Sequence, residues 1–186
     1  IVIREMADAL ALELVEKGLA TDQLTLTVGY DIENIQDPER LSRYQGEIKK
    51  DRYGRSVPKH SHGTENIGRY TSSTRKIQNA ADALFHRIVD PGLLIRRLNI
   101  TANRVLPERE VPEADACEQM DLFVDYEAMQ EGKRRKEAEQ VREKKIQSTV
   151  LDIKRKFGKN AILKGTALED GATSRERNQK IGGHQA

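Results

Sequence analysis

One stretch, "LLIRRLNITANRV" at residues 93–105, spaces its polar side chains so that they could bind a ligand together. Arg97, Asn99 and Thr101 alternate with apolar residues, and successive side chains of a β-strand point to opposite faces of a sheet. Arginine contacts phosphate groups, while Asn and Thr add hydrogen bonds, so this face could grip a nucleic-acid backbone. An ordinary solvated face of an antiparallel sheet gives the same pattern, and the sequence leaves both interpretations open.

Groups suited to catalysis or metal binding are scarce. His60 and His62 in "HSH" have Asp51 and Glu65 as possible further ligands, but a metal site needs three or four convergent ligands. Solvated loop histidines are the simpler interpretation. The single cysteine, Cys117, lies among acidic residues and is expected to be an unreactive thiol. No phosphate-binding loop or nucleophile elbow is recognisable. We predict no catalytic residues, no metal site and no cofactor in this chain.

A second candidate binding element is "EQMDLFV" at residues 118–124. Met120, Leu122, Phe123 and Val124 are large and apolar, yet they lie between an acidic stretch and a strongly charged one that are poorly suited to bury them. An extended, tethered peptide can insert such side chains into an apolar pocket of a partner. Packing of this segment on the rest of the chain is the alternative.

Periodicity predicts the elements that position these residues. Apolar residues at helical spacing indicate a helix that ends at Gly18, and a second one that begins at Ser73 or Thr74. Alternation predicts strands in "QLTLTVGYD" and "LLIRRLNITANRV", with "GTENIGRYTSS" as a weaker strand. Residues 31–62 have no clear period, so we predict a long loop there, with a short helix possible at "DPER".

The predicted order of helix, strand, strand, helix, strand indicates an α+β fold. Both helices would pack on the apolar face of one small antiparallel sheet. Leu98, Ile100 and Ala102 would face the helices, with Arg96 as a polar exception on that side. The opposite face would carry polar side chains: Thr25, Thr27, Arg97, Asn99, Thr101 and Asn103. One face is therefore covered and the other is left for a partner.

A long helix is predicted from about Tyr126 to Phe157, roughly 45 Å if unbroken. Its first half is rich in Lys and Arg and polar all round, which suits a solvated helix or one that contacts a nucleic-acid backbone. The second half carries one apolar stripe: Ile146, Val150, Ile153 and Phe157. This stripe would dock the helix or support a weak homodimer, although no continuous coiled-coil seam is present.

Composition limits the class of protein. The chain has 186 residues, 37% apolar and 33% charged, with a net charge of +2 and no Trp. These values predict a compact part of about 100 residues, with the remainder extended or helical. One cysteine excludes a disulfide framework, and no signal peptide or long apolar run is visible. We therefore expect a cytoplasmic location and no membrane association.

Several segments resemble the C-terminal third of Firmicutes-type Y-family translesion DNA polymerases. They are "REMADALALELVEKGLATDQLTLTVGYDIEN", "HGTENIGRYTSST", "IRRLNI" and "TSRERNQKIGGHQA". The element order is similar to the little-finger domain of that family, an α+β module that grips template–primer DNA by its backbone. The resemblance implies DNA contacts from Arg69, Tyr70, Thr71, Ser72, Arg96, Arg97, Asn99 and Thr101. It also implies a role in DNA repair and the SOS response.

"QMDLF" resembles the bacterial sliding-clamp-binding peptide. It comprises Gln119, Met120, Asp121, Leu122 and Phe123. The resemblance implies that Gln119 fixes the register by hydrogen bonds, and that Leu122 and Phe123 enter an apolar pocket of the clamp. Asp121 is the spacer, and Met120 occupies a position that is usually Leu in the family.

Four parts are expected along the chain. They are a little-finger-like domain at 1–105 with an insertion at 31–62, a linker at 106–125, a charged helix at 126–164 and a tail at 165–186. The resemblance implies a palm with metal-binding carboxylates and Mg²⁺ in the parent polymerase, but this chain matches no palm. We therefore expect a non-catalytic part that positions DNA and docks on the clamp. A stand-alone adaptor or DNA-binding protein that self-associates through its last helix is the alternative.

Overall fold

A computed structural model describes residues 1–112, 126–181 and 184–185 of the chain. The α-helices are α1 (Val2–Lys17), α2 (Glu33–Gln36), α3 (Pro38–Arg43), α4 (Thr74–Ile88), α5 (Tyr126–Phe157) and α6 (Ser174–Arg177). The strands are β1 (Leu19–Tyr30), β2 (Ile48–Lys50), β3 (Ser56–Pro58), β4 (Ser61–Thr71), β5 (Ile95–Asn103), β6 (Leu106–Pro107), β7 (Lys180–Ile181) and β8 (His184–Gln185). Short 3₁₀ helices lie at Glu108–Glu110 and Gly165–Leu168.

The main sheet is antiparallel, with strands in the order β4, β1, β5. The two-residue β6 pairs with the start of β1. Both α1 and α4 pack on one face of this sheet, so the predicted α+β fold and the placement of the two helices are confirmed. Leu24, Leu26 and Val28 of β1 are fully buried between the strands and helices. Leu98 and Ile100 of β5 pack against the same core, as the alternation predicted.

The boundaries of the two core helices follow from local chemistry. Gly18 ends α1 in the left-handed conformation (φ 63°), and its amide donates back to the Leu14 and Val15 carbonyls. Ser73 is the N-cap of α4, since its hydroxyl accepts a hydrogen bond from the Lys76 backbone amide. These two residues match the predicted stop and start.

The segment between β1 and β4 is more ordered than predicted. It contains the expected short helix α3, capped by Asp37 with Pro38 in the first turn, and also α2 and the β2–β3 hairpin. The prediction of a long loop at 31–62 is therefore wrong for most of this segment. Asn34 is fully buried and joins the segment to the start of β5. Its side chain donates to the Leu94 carbonyl (2.9 Å) and accepts from the Leu94 amide (2.8 Å).

Helix α5 is docked on the domain mainly by polar side chains. Gln147 is buried, and its side-chain amide donates to the Ser72 carbonyl and the Thr74 hydroxyl, both at 2.9 Å. By contrast, Ile146 and Phe157 of the predicted apolar stripe are 53% and 67% exposed. The helix ends at Phe157, as the periodicity predicted, and the expected bound of this part of the chain at 164 lies seven residues beyond it. A homodimer through this stripe stays a prediction.

The segment after α5 returns to α1. The Glu5 carboxylate, 5% exposed, accepts hydrogen bonds from the Thr173 amide (3.0 Å) and from Arg177 (3.2 Å). Lys164 pairs with Asp8 at 2.6 Å. A cavity of about 680 Å³ is lined by α1, α4, α5 and this segment, and Glu5, Asp8, Lys164 and Arg177 are among its lining residues. Among the described residues, no helix has both the length and the apolar character needed to span a membrane.

Candidate nucleic-acid interface

The sheet face opposite the helices is the strongest candidate site. It consists of three rows of side chains that cross β4, β1 and β5. The rows are Asn66, Gln23 and Asn103; Thr64, Thr25 and Thr101; and His62, Thr27 and Asn99. We call these nine residues, together with Arg97 beside the last row, the open face. All of these side chains are polar.

Hydrogen bonds between strands fix the side chains of the open face. The side-chain amide of Gln23 donates to the Asn66 side-chain oxygen (2.9 Å), and the side-chain amide of Asn103 donates to the Thr25 hydroxyl (2.5 Å). The Thr27 hydroxyl lies 3.0 Å from Nδ1 of His62. These contacts reduce the conformational freedom that the side chains would lose on binding a ligand.

The charge of the open face is positive or neutral throughout. None of its ten residues is Asp or Glu. Arg97 lies at one end, opposite Gly29, which adds no side chain of its own to this end. Arg104 lies at the other end, where it donates to Asn66 (2.7 Å) and pairs with Asp22 (2.9 Å). Arg97 and the neutral hydrogen-bonding groups beside it suit a polyanion, whereas the charge of Arg104 is balanced by Asp22.

Three of the predicted DNA contacts lie together on the open face. Arg97, Asn99 and Thr101 follow one another on the same side of β5, where they pair with Gly29, Thr27 and Thr25. Arg96 points to the other side of the strand, and its guanidinium is 4.0 Å from the Asp31 carboxylate. The two neighbouring arginines therefore serve different faces, and only Arg97 belongs to the candidate interface.

The four predicted DNA contacts on β4 and the residue after it differ in their exposure and position. The register shifts after Asn66, so that four residues, including Gly68 with φ 88°, bulge opposite Asp22. Arg69 is exposed on this bulge, and Tyr70 is half-buried. Thr71 is half-buried, and its hydroxyl accepts from the Ser73 amide (3.1 Å).

Ser72 requires a correction. It is only 9% exposed, its hydroxyl faces Glu108 (3.5 Å), and its carbonyl accepts from Gln147. This position does not support the predicted direct DNA contact, because α5 and the 3₁₀ helix cover the residue. Ser72 instead joins the sheet to the long helix.

Several open-face residues were missed by sequence reasoning. They are Gln23, His62, Thr64 and Asn66. The available signal was the alternation of polar residues from His62 onward, which the small and charged residues Gly63 and Glu65 obscured. His62, expected in a loop and as a candidate metal ligand, lies in β4 beside Thr27. No group of three or more His, Cys, Asp or Glu side chains that could hold a metal ion occurs in residues 1–112, 126–181 and 184–185.

The predicted clamp-binding residues, 119–123, lie outside the described residues, as does Cys117. Their assignment depends on the sequence alone.

Comparison with known families identifies most of the chain. A sequence profile of the impB/mucB/samB family C-terminal domain matches residues 1–122 of the chain. No curated protein matches the chain at a significant level. The matched residues include both core helices, the whole main sheet and the open face. The chain therefore belongs to the impB/mucB/samB family, and it carries the C-terminal, little-finger region of a Y-family translesion DNA polymerase.

Proposed function

We propose that the open face binds the backbone of template–primer DNA and that residues 119–123 dock on a bacterial sliding clamp. In this role the chain holds and positions DNA for translesion synthesis and does not itself catalyse nucleotide transfer. The observation that carries the proposal is a sheet face without carboxylates, ordered by its own hydrogen bonds and flanked by arginines.

Backbone recognition is the binding mode that these residues favour. Arg97 and the exposed Arg69 would each neutralise a phosphate and release counterions. The amides and hydroxyls between them would donate hydrogen bonds to phosphate or sugar oxygens, which carry no sequence information. A surface that must follow any damaged template benefits from this lack of sequence preference.

Salt-dependent binding to duplex DNA tests the proposal. Fluorescence anisotropy with a labelled duplex should give an affinity that falls steeply with salt concentration. Arg97→Ala should weaken binding. It should also reduce the slope of log affinity against log salt concentration by about 1, the effect of losing one phosphate contact. Lys17→Ala is the control, since Lys17 is exposed on α1, in the helix layer away from the open face. Equal losses from both variants would contradict the assignment of this face.

The clamp contact requires a separate test. The sequence Gln119, Met120, Asp121, Leu122, Phe123 supports it through the chemistry of an apolar pair on a tether. Titration with bacterial sliding clamp should show binding that Leu122→Ala/Phe123→Ala removes. A double variant that binds as tightly as the unaltered chain would reject the clamp assignment and leave the DNA proposal unaffected.

Self-association through α5 is the second candidate. The exposure of Ile146 and Phe157, together with half-buried Val150 and Ile153, supports it. Sedimentation should then show a dimer that Phe157→Ser dissociates, with an unchanged melting temperature at concentrations too low for the dimer to form. A monomer at all concentrations would reject this candidate.

A further inference from the structure

The β2–β3 hairpin has a rigid tip. Asp51 organises it, because its carboxylate accepts from the Tyr53 amide (2.8 Å) and the Arg55 amide (2.9 Å). The same carboxylate pairs with the Arg55 guanidinium at 2.7 Å. The Arg55 side chain lowers the pKa of Asp51 below its ordinary value, and the backbone amides of the tip contribute to this shift. Gly54 completes the turn with φ 77°. The tip is therefore held in one conformation before any ligand arrives.

This rigid tip exposes an aromatic ring. Tyr53 is 73% exposed, although Tyr is usually at least partly buried. The guanidinium carbons of Arg52 and Arg55 lie 5.6 Å and 5.1 Å from the ring centroid. The ring is thus oriented by its neighbours while most of its surface faces solvent. So little burial contributes little to folding, and a structural role does not account for the residue.

Positive charge surrounds this ring. The hairpin carries Lys49, Lys50, Arg52, Arg55 and Lys59 against Glu47 and Asp51. Glu47 pairs with Lys49 and Lys59, and Asp51 pairs with Arg55. Within the described part of the chain, Lys50 and Arg52 form no ion pair, and both lie close to Tyr53 along the hairpin. Lys50 donates to the Ser56 hydroxyl (3.0 Å), so neither cation is neutralised by a carboxylate there. Both lie beside a ring that is mostly exposed.

The base of the hairpin is anchored near the open face. Pro58, at the end of β3, is fully buried. Lys59 and His60 then lead directly into β4, whose first residue, Ser61, pairs with Val28. Arg97 pairs with Gly29, the next residue along β1. The hairpin thus emerges at the Arg97 end of the open face.

We propose that this tip binds single-stranded nucleic acid, with an unpaired base stacked on Tyr53 and the flanking phosphates held by Lys50 and Arg52. Bases stack on aromatic rings and on arginine planes without sequence preference, and nearby cations follow the backbone. The single-strand site itself follows from the hairpin alone. Its placement next to a duplex rests on the proposed function of the open face. Together the two sites would bind the junction between duplex and unpaired template.

The test compares three labelled DNA probes with the full chain: a single strand of dT, a blunt duplex, and the same duplex with a single-stranded overhang. The unaltered chain should bind the overhang duplex more tightly than the blunt duplex. Tyr53→Ala should weaken binding to the single strand and to the overhang duplex by about fivefold or more, with blunt-duplex affinity unchanged. Tyr53→Phe keeps the ring and should bind as the unaltered chain does. Tyr53 is exposed, so both variants should keep the unaltered melting temperature.

The outcomes separate this inference from the proposed function. Overhang and blunt duplexes bound equally tightly, with no effect of Tyr53→Ala, would overturn the hairpin site and leave the open face intact. A loss of blunt-duplex binding from Tyr53→Ala would overturn the single-strand assignment. Arg97→Ala should weaken both duplexes and spare the dT strand. Failure of all duplex binding, with dT binding retained and dependent on Tyr53, would reject the open face and support the hairpin.

Discussion

Glu143 of the long helix completes the cap of α4: its carboxylate accepts a hydrogen bond from the Ser73 hydroxyl at 2.7 Å. The same carboxylate accepts from the Arg75 amide at 3.1 Å. The amides at a helix N-terminus have no partner within the helix, and an acidic group there is favourable. Helix α5 is therefore joined to the core by capping chemistry, and the exit of β4 is held between them.

Gln147 should contribute measurably to this attachment. Gln147→Ala removes two hydrogen bonds and leaves the Ser72 carbonyl buried without this partner. We expect the free energy of unfolding to fall by about 1–3 kcal/mol. Gln140→Ala, one heptad earlier and exposed, should change it by less than about 0.5 kcal/mol. Chemical denaturation of both variants is the measurement, and equal stability of the two would contradict the docking role.

Glu5 should make the docking of the C-terminal segment sensitive to acid. Burial raises the pKa of Glu5, but hydrogen bonding from Thr173 and Ser174 and the charge of Arg177 outweigh it and hold the pKa below its ordinary value of 4.5. A lowered folded pKa stabilises the fold above pH 4.5, and this contribution is lost as the pH falls through the folded pKa.

A pH series tests that sign. Glu5→Gln should be less stable than the unaltered chain near neutral pH, and the difference should shrink steadily as the medium is acidified below the ordinary pKa. Glu13→Gln, which removes an exposed carboxylate from the same helix, should show little effect. Denaturant midpoints measured across the series provide the comparison. A Glu5→Gln difference that stays constant with pH would refute the linkage.

Gly63 lies where β4 packs tightly against α4. A Cβ at this position would lie 2.8 Å from Ile88 and 3.0 Å from Leu84. Gly63→Val should therefore overpack the contact and destabilise the fold by about 1–3 kcal/mol. Gly29→Ala is the matched control, because its added Cβ would meet Arg97 at an ordinary 3.6 Å. Thermal unfolding of the two variants is the measurement. Equal melting temperatures of Gly63→Val and Gly29→Ala would contradict the prediction.

Asn34 should hold the inserted segment onto the sheet. Asn34→Ala removes the acceptor for the Leu94 amide and one of the two donors to the Leu94 carbonyl, which keeps the Asp31 amide. We therefore expect a loss of about 1–3 kcal/mol in the free energy of unfolding. Asn34→Asp keeps the acceptor for the Leu94 amide but places a buried carboxylate oxygen against the Asp31 and Leu94 carbonyls, so it should lose at least as much. Hydrogen exchange at the Leu94 amide reports this contact directly. Unchanged exchange in the Ala variant would contradict the role.

Alternation made the core and six of the ten open-face residues predictable. In β1 and β5, one side of each strand is apolar and the other polar, so the pattern identified both the buried face and Arg97, Asn99 and Thr101. In β4 the core-facing side includes Ser61, Gly63 and Glu65, which carry no apolar signal. The contribution of this strand to the open face therefore remained hidden.

The remaining differences come from contacts that leave no periodic pattern. Strand β2 is exposed along its length and β3 has only one buried residue, so neither shows an apolar repeat. The turn centred on Asp51 holds the hairpin together. Helix α5 docks through Gln147 and Glu143, two polar residues in a charged sequence. The apolar stripe suggested docking, but it did not reveal these partners.

Side-chain NMR of the labelled chain tests duplex DNA binding at the open face residue by residue. The side-chain amide signals of Gln23, Asn66, Asn99 and Asn103 should shift on titration, while that of Gln78, on α4 in the helix layer, should stay unchanged. The shifts should reverse when salt is raised. Shifts confined to α5, or signals of the open face that do not move at saturating DNA, would contradict it.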